Sequence, residues 1–213
     1  MKTEELVTLL AAGAAPVPSH AAGRRLAVGL SWGLPGAFLL LLVALGVRSD
    51  LAQAAGVWMF WVKPAFAGGL ALAGWFAAER LARPGMRLGG IWVALAAPLL
   101  LLWLVAAYVL FDAAPAQRAD LVFGSTWKSC TLNISLVSLP LFVATFWAMR
   151  GLAPTRLVLA GSSAGFLAGA LGSLVYTLYC PESTLPFMAV WYVLGIAIPT
   201  LAGAMLGPRL LRW

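Results

Sequence analysis

Cys130, in "TWKSCTLNIS", and Cys180, in "TLYCPES", are the only two cysteines of this chain. A thiolate attacks oxidants, closes disulfides and binds soft metal ions, so a pair of thiols is the first place to look for chemistry. Their wide separation gives neither a CxxC dithiol nor zinc-finger spacing. The bland alternative is that both are buried and behave as small hydrophobes. Two other residues could support them. Glu182 follows Cys180 closely and could act as an oxygen ligand or hold a cation near the thiolate. Lys63, in "FWVKPAF", is the one charge inside a long apolar run, where an ammonium is costly and is by default paired or functional. The alternative for Lys63 is snorkelling, its flexible stem carrying the charge to an interface.

The elements that must position these groups follow from composition. The chain has 213 residues, 62% of them hydrophobic and 10% charged, with a mean hydropathy of +0.95. Soluble domains carry roughly 25% charged residues, so too little charge is present to cover a water-exposed surface. Six apolar runs reach the roughly 20 residues needed to cross a bilayer as helix: Leu26–Gly46, Val57–Ala78, Leu88–Phe111, Cys130–Met149, Leu157–Cys180 and Leu185–Leu206. Continuous runs exclude a barrel, whose strands alternate over about ten residues. The first run exceeds the core of a signal peptide and is read as a retained helix. The expected fold is all-α: a polytopic membrane protein with a bundle of six transmembrane helices. Its parts are a cytoplasmic N-terminal segment (1–25), the transmembrane domain (26–207) and a cytoplasmic tail (208–213).

Charge orients the bundle. Ten of the fourteen Lys and Arg fall on the side of the termini, and four (Arg48, Lys63, Arg118, Lys128) on the other. By the positive-inside rule both termini are cytoplasmic. The net charge of +7 then reflects topology, and no basic patch interleaved with aromatics points to direct nucleic-acid binding. Cys180 falls at the outer end of helix five and Cys130 at the outer end of helix four. In bacteria that compartment is oxidising, and disulfides persist there. Gly161, Gly165, Gly169 and Ser173 recur at four-residue spacing, the pattern that lets helices approach closely in lipid. Cys180 lies nearly two turns beyond Ser173, which predicts a thiol on that packed face with Pro181 ending the helix. Trp58, Trp61 and Trp127 are expected to be interfacial anchors, and Pro64 to kink helix two.

The N-terminal "MKTEELVTLLAAGAAPVPSH" predicts a short helix. Thr3 is placed as N-cap, Glu4 and Glu5 suit the positive end of the dipole, and Gly13 and Pro16 stop it. Leu6, Leu9 and Leu10 line one face. So short a helix needs a cover, either a partner protein or the membrane surface. His20 reads as a linker residue. No phosphate loop, Ser-His-Asp set or facing carboxylate pair occurs, so no enzyme is expected.

The stretches "MKTEELVTLLAAGAAPVP", "FWVK", "RLARPG", "GSTWKSC", "RGLAPTR", "YCPES…PFMAVWYVLGI" and "LGPRLLRW", in this order and nearly end to end, resemble the NrsF-type membrane anti-sigma factors. The resemblance implies a six-helix bacterial inner-membrane protein that holds an extracytoplasmic-function sigma factor inactive. It places Cys130 and Cys180 on the signal-receiving side, and the sigma factor on the cytoplasmic face, where Leu6, Leu9 and Leu10 are the expected docking residues. No cofactor is required; oxidant or a heavy-metal ion held by Cys130 and Cys180 would be the signal. Where the family pattern has His before the second Cys, this chain has Tyr179, which shifts the expectation toward thiol oxidation. Membrane lipids are the remaining partner. The competing classes are a small transporter or channel with Lys63 lining a polar path, and a membrane thiol oxidoreductase. Six short helices with no second intramembrane charge and no discontinuous helix pair speak against the first. The second would want adjacent cysteines and a quinone site.

Overall fold

The structure, a computed structural model, describes residues 3–12, 20–86 and 89–212. All regular structure among these residues is helical. In chain order the elements are α1 (Thr3–Ala12), α2 (Ala21–Ala44), α3 (Leu51–Ala55), α4 (Trp58–Leu81), α5 (Ile91–Asp112), α6 (Arg118–Phe123), α7 (Trp127–Val137), α8 (Leu139–Arg150), α9 (Leu157–Tyr176), α10 (Leu185–Phe187) and α11 (Val193–Leu210), with a π-helical turn at Met188–Tyr192 joining the last two. The predicted stops of the first helix, Gly13 and Pro16, lie outside the described residues.

Five stretches among the described residues are long and apolar enough to cross a membrane: α2, α5, the α6–α8 segment, α9 and the α10–α11 segment. The sixth predicted span, α4, is 24 residues long and runs unbroken through Pro64. Its hydropathy is lowered by Lys63 in its first half and by Glu79 and Arg80 at its end. The fourth span is divided at Ser138, whose hydroxyl donates to the Ile134 carbonyl at 2.7 Å; Pro140, which has no N–H to give, starts the next helix.

Side-chain size sorts the helices into centre and rim. α9 is built from Gly, Ala and Ser on most faces and is buried along most of its length, packed by α11, α4, α8 and α7. α5 is rich in Leu, Trp, Tyr and Phe and turns most of them outward. Without a hydrophobic drive between helices in lipid, small residues go where backbones must meet and large ones where lipid is the neighbour. The glycine face of α9 meets α11: Gly161 lies against Gly203 and Gly207, Gly165 against Pro199, and Gly169 against Ile196. A Cβ at Gly161 would collide with the Gly203 carbonyl.

α9 also ends earlier than the sequence suggests. It stops at Tyr176, and Thr177–Tyr179 continue as tight turns in which the Tyr179 and Cys180 amides both donate to the Tyr176 carbonyl (3.0 and 3.1 Å). Pro181 disfavours helical backbone at residue 180, so the helix closes before it. The inward turn of Cys180 therefore comes from this reversal and not from the helical glycine face.

Candidate functional site

At one end of the bundle α7, the end of α9 and the π turn bring together a small cluster of polar side chains in otherwise apolar surroundings. α7 brings in Cys130, the reversal after α9 brings in Cys180, α9 itself supplies Tyr176 and the π turn supplies Tyr192. All four are 0% exposed. Both cysteines are free thiols, and they lie within hydrogen-bonding reach of each other. The Tyr176 hydroxyl lies beside Cys130 and the Tyr192 hydroxyl beside Cys180, yet neither hydroxyl has a well-formed hydrogen bond. Buried hydroxyls are almost always satisfied, so two left open against two thiols mark the cluster as unusual.

The π turn explains how Tyr192 arrives there. Its extra residue releases backbone carbonyls from the helical ladder, and side chains of neighbouring helices take them. Trp103 of α5 donates its indole N–H to the Ala189 carbonyl at 2.9 Å, and Thr131 of α7 donates to the Trp191 carbonyl at 3.3 Å.

Cations approach the Cys180 backbone from two sides. Lys63, only 1% exposed, donates from Nζ to the Cys180 carbonyl at 3.0 Å. Arg48 donates from its guanidinium to the same carbonyl at 3.4 Å and from its backbone N–H to the Leu178 carbonyl at 3.2 Å. These carbonyls follow a helix C-terminus, where positive charge is favoured. Arg48 is itself held by Asp50, through bonds of 2.6 and 2.7 Å. That pairing raises the guanidinium pKa and lowers the carboxyl pKa, so the pair stays ionised around neutral pH.

Lys63 is therefore paired inside the bundle. The Glu182 carboxylate accepts from the Ser125 N–H at 2.8 Å and from the Ser125 hydroxyl at 2.6 Å. Gly124 packs against that carboxylate with φ +52°, a left-handed conformation that suits glycine. Glu182 thus staples the segment before α7 to the segment after Cys180. Thr184 and Trp191 add hydrogen bonds to the Leu121 and Val122 carbonyls of α6, at 2.9 and 2.8 Å. Trp127 packs against Phe123 and Trp191, with ring centroids 5.3 Å from each. Trp58 and Trp61 are exposed, as anchors would be. Among the described residues no group of three or more His, Cys, Asp or Glu could hold a metal ion; a metal here would rest on the two thiols and neighbouring oxygens.

Arg48, Ser125, Tyr176 and Tyr192 were not singled out by sequence reasoning. Arg48 reads as an ordinary loop charge. Tyr176 and Tyr192 left a usable signal, each a phenol inside an almost wholly apolar run, four residues before Cys180 in one case and within "WYVLGI" in the other. α1 leaves Leu6 and Leu9 exposed (41% and 66%); the Leu10 side chain lies outside the described residues.

Comparison with known proteins sets this geometry in context. The family model described as negative regulator of sigma F matches residues 10–213. The chain belongs to the NrsF family. It is 48% identical to the probable anti-sigma-F factor NrsF of Azospira oryzae and 40% identical to the anti-sigma-F factor NrsF of Caulobacter vibrioides, with full coverage of both chains in each case. No solved structure matches the chain. NrsF proteins are regulators and not enzymes, in agreement with the absence of a catalytic constellation from the sequence.

Proposed function

We propose that this protein is an inner-membrane anti-sigma factor that holds an extracytoplasmic-function sigma factor at the cytoplasmic face and releases it when the Cys130–Cys180 pair is oxidised on the periplasmic side. The reading takes all six long helices, α4 included, as spans with both termini inside. The observation that carries it is the burial of the only two thiols next to each other, in one polar cluster, at the end of the bundle away from the termini. Full relatives named as anti-sigma-F factors supply the partner class.

Oxidation joins the two sulfurs. Each thiol loses a proton and one electron, and a two-electron acceptor such as a hydroperoxide takes both electrons, its O–O bond breaking to give water and an alcohol or a second water. The new bond fixes α7 to the segment following α9. Reorganisation there loosens the cytoplasmic docking surface, to which α1 contributes Leu6, Leu9 and Leu10. A hundredfold loss of sigma affinity needs about 2.7 kcal/mol of coupling, a modest demand on a packed bundle with two arrangements. A soft metal ion displacing both thiol protons would act through the same residues; Tyr179 in place of a histidine favours oxidation.

The test is a set of Cys130→Ser, Cys180→Ser and double variants. Each should hold the sigma factor normally and fail to release it under oxidant, with the double variant no worse than either single one. A Cys130→Ser variant that still releases sigma like the parent would overturn the paired-thiol mechanism.

A further inference from the structure

At the end of the bundle opposite the thiols, α2 and α8 form a groove lined by His20, Arg24, Arg25, Val28, Trp147 and Leu152, together with backbone around Gly151. Among the described residues no carboxylate lines it. The groove begins at the first turn of α2, where the Arg24 N–H donates to the His20 carbonyl. Arg25 is held in place. Its guanidinium stacks over Trp147, 5.2 Å from the ring centroid, and packs so closely on Gly151 that a Cβ there would collide with it. Even so, its Nε is buried with no hydrogen-bond partner. Glu79, the acid close to this turn, lies on the other side of α2 against Gly23, and Arg83 donates to it at 2.8 Å. A positioned, under-satisfied guanidinium and a second exposed arginine converge at the first turn of α2 on a space that no described carboxylate lines, which is the chemistry that recognises phosphate.

What lies below the groove selects the form of phosphate. Val28 and Trp32 on α2, and Val143 and Trp147 on α8, are all exposed and sit at one-turn spacing, forming an apolar strip that leads away from the arginines along the spanning helices. Trp32 and Trp147 meet edge to face across it, 6.2 Å apart. A free phosphate or an acidic peptide has no use for such a strip, whereas an acyl chain fits it. Basic pockets between spanning helices on the cytoplasmic side are recurrent headgroup sites. We propose that this groove binds an anionic phospholipid, Arg24 and Arg25 taking the headgroup phosphate and the Val28–Trp147 strip taking the first part of an acyl chain. The proposal rests on the membrane-embedded reading and is independent of the sigma factor and of the thiols.

The test uses full-length protein in nanodiscs of mixed phosphatidylglycerol and phosphatidylcholine, extracted gently and read by native mass spectrometry for retained lipid, with thermal stability as a second readout. The parent should retain phosphatidylglycerol in preference to phosphatidylcholine, and R24Q/R25Q should lose that preference, at roughly fivefold per arginine. Should the double variant misfold, R24Q alone decides the matter, since Arg24 is exposed and carries the smaller change. Equal retention by parent and variants overturns the proposal. So does inorganic phosphate alone stabilising the parent as much as phosphatidylglycerol, which would indicate a small-anion site. Unchanged lipid retention combined with lost sigma binding overturns it in favour of a protein occupant.

Discussion

Lys63 reaches the Cys180 carbonyl from within the bundle, and among the described residues no carboxylate forms an ion pair with it. A charge-assisted bond of this kind contributes roughly 1.5–3 kcal/mol, and Arg48 gives only a longer second bond to the same oxygen. Lys63→Met relieves the cost of burying an ammonium, so global stability should change little. What should change is how often the Cys180 segment opens. In a Cys130→Ser background, maleimide labelling of Cys180 should speed up about tenfold or more in Lys63→Met, since 1.4 kcal/mol corresponds to a factor of ten. An unchanged rate would mean that the bond does not hold the segment. Glu182→Ala tests the second restraint: losing the oxygen that accepts both Ser125 bonds should accelerate labelling severalfold, and Glu182→Gln, which keeps an acceptor, should lie between. At this scale the sequence pointed to Cys130, Cys180, Lys63 and Glu182, because a thiol or charge in an apolar chain is conspicuous. It could not show that Lys63 bonds a backbone carbonyl, nor that the Glu182 carboxylate accepts from Ser125, because each depends on partners remote in sequence.

At the scale of elements, spacing is legible and pairing is not. Four-residue repetition of small residues in α9 announces a close helix contact, yet nothing in it names α11 as the partner. The thiols meet because α7 packs against α9 as well, Gly172 lying against Ser138 at the end of α7. The length of α9 was overestimated for a similar reason. An apolar run continues to Cys180, but the backbone reversal after Tyr176 depends on Pro181 and on the cations that cap the freed carbonyls. The α9–α11 seam makes a discriminating prediction. Gly161→Leu inserts a side chain between two backbones and should destabilise the protein by at least about 1–3 kcal/mol, with loss of folded protein in detergent. Gly68→Ala or Gly69→Ala in α4 meets nothing within 4 Å and should be neutral or stabilising by up to about 1 kcal/mol. Equal melting behaviour of the two classes would contradict the seam.

For the molecule as a whole, the two ends of the bundle carry different chemistry: thiols closed under a hydrogen-bonded cap at one, and the Arg24–Arg25 groove at the other. Charge counting gave the orientation, and it can be checked directly. In a chain whose two native cysteines are replaced by serine, Pro84→Cys and Thr155→Cys should resist an impermeant maleimide in intact spheroplasts, and Ala116→Cys should react. The helix at the N-terminus is the part whose partner must come from outside the chain. α1 is too short to be stable alone in water, and Leu6 and Leu9 on it are exposed. If a sigma factor covers this stripe, each leucine contributes at most around 1.5–3 kcal/mol of burial, so the combined Leu6→Ser, Leu9→Ser, Leu10→Ser variant should lower affinity by well over a hundredfold. In cells that variant should remain in the membrane and leave transcription of the sigma-dependent genes high without stimulus. Adding Cys130→Ser should not restore control, because docking lies downstream of the thiols. A triple-serine variant that still silences those genes would move the docking surface from α1 to the loops around Arg83 and Arg150.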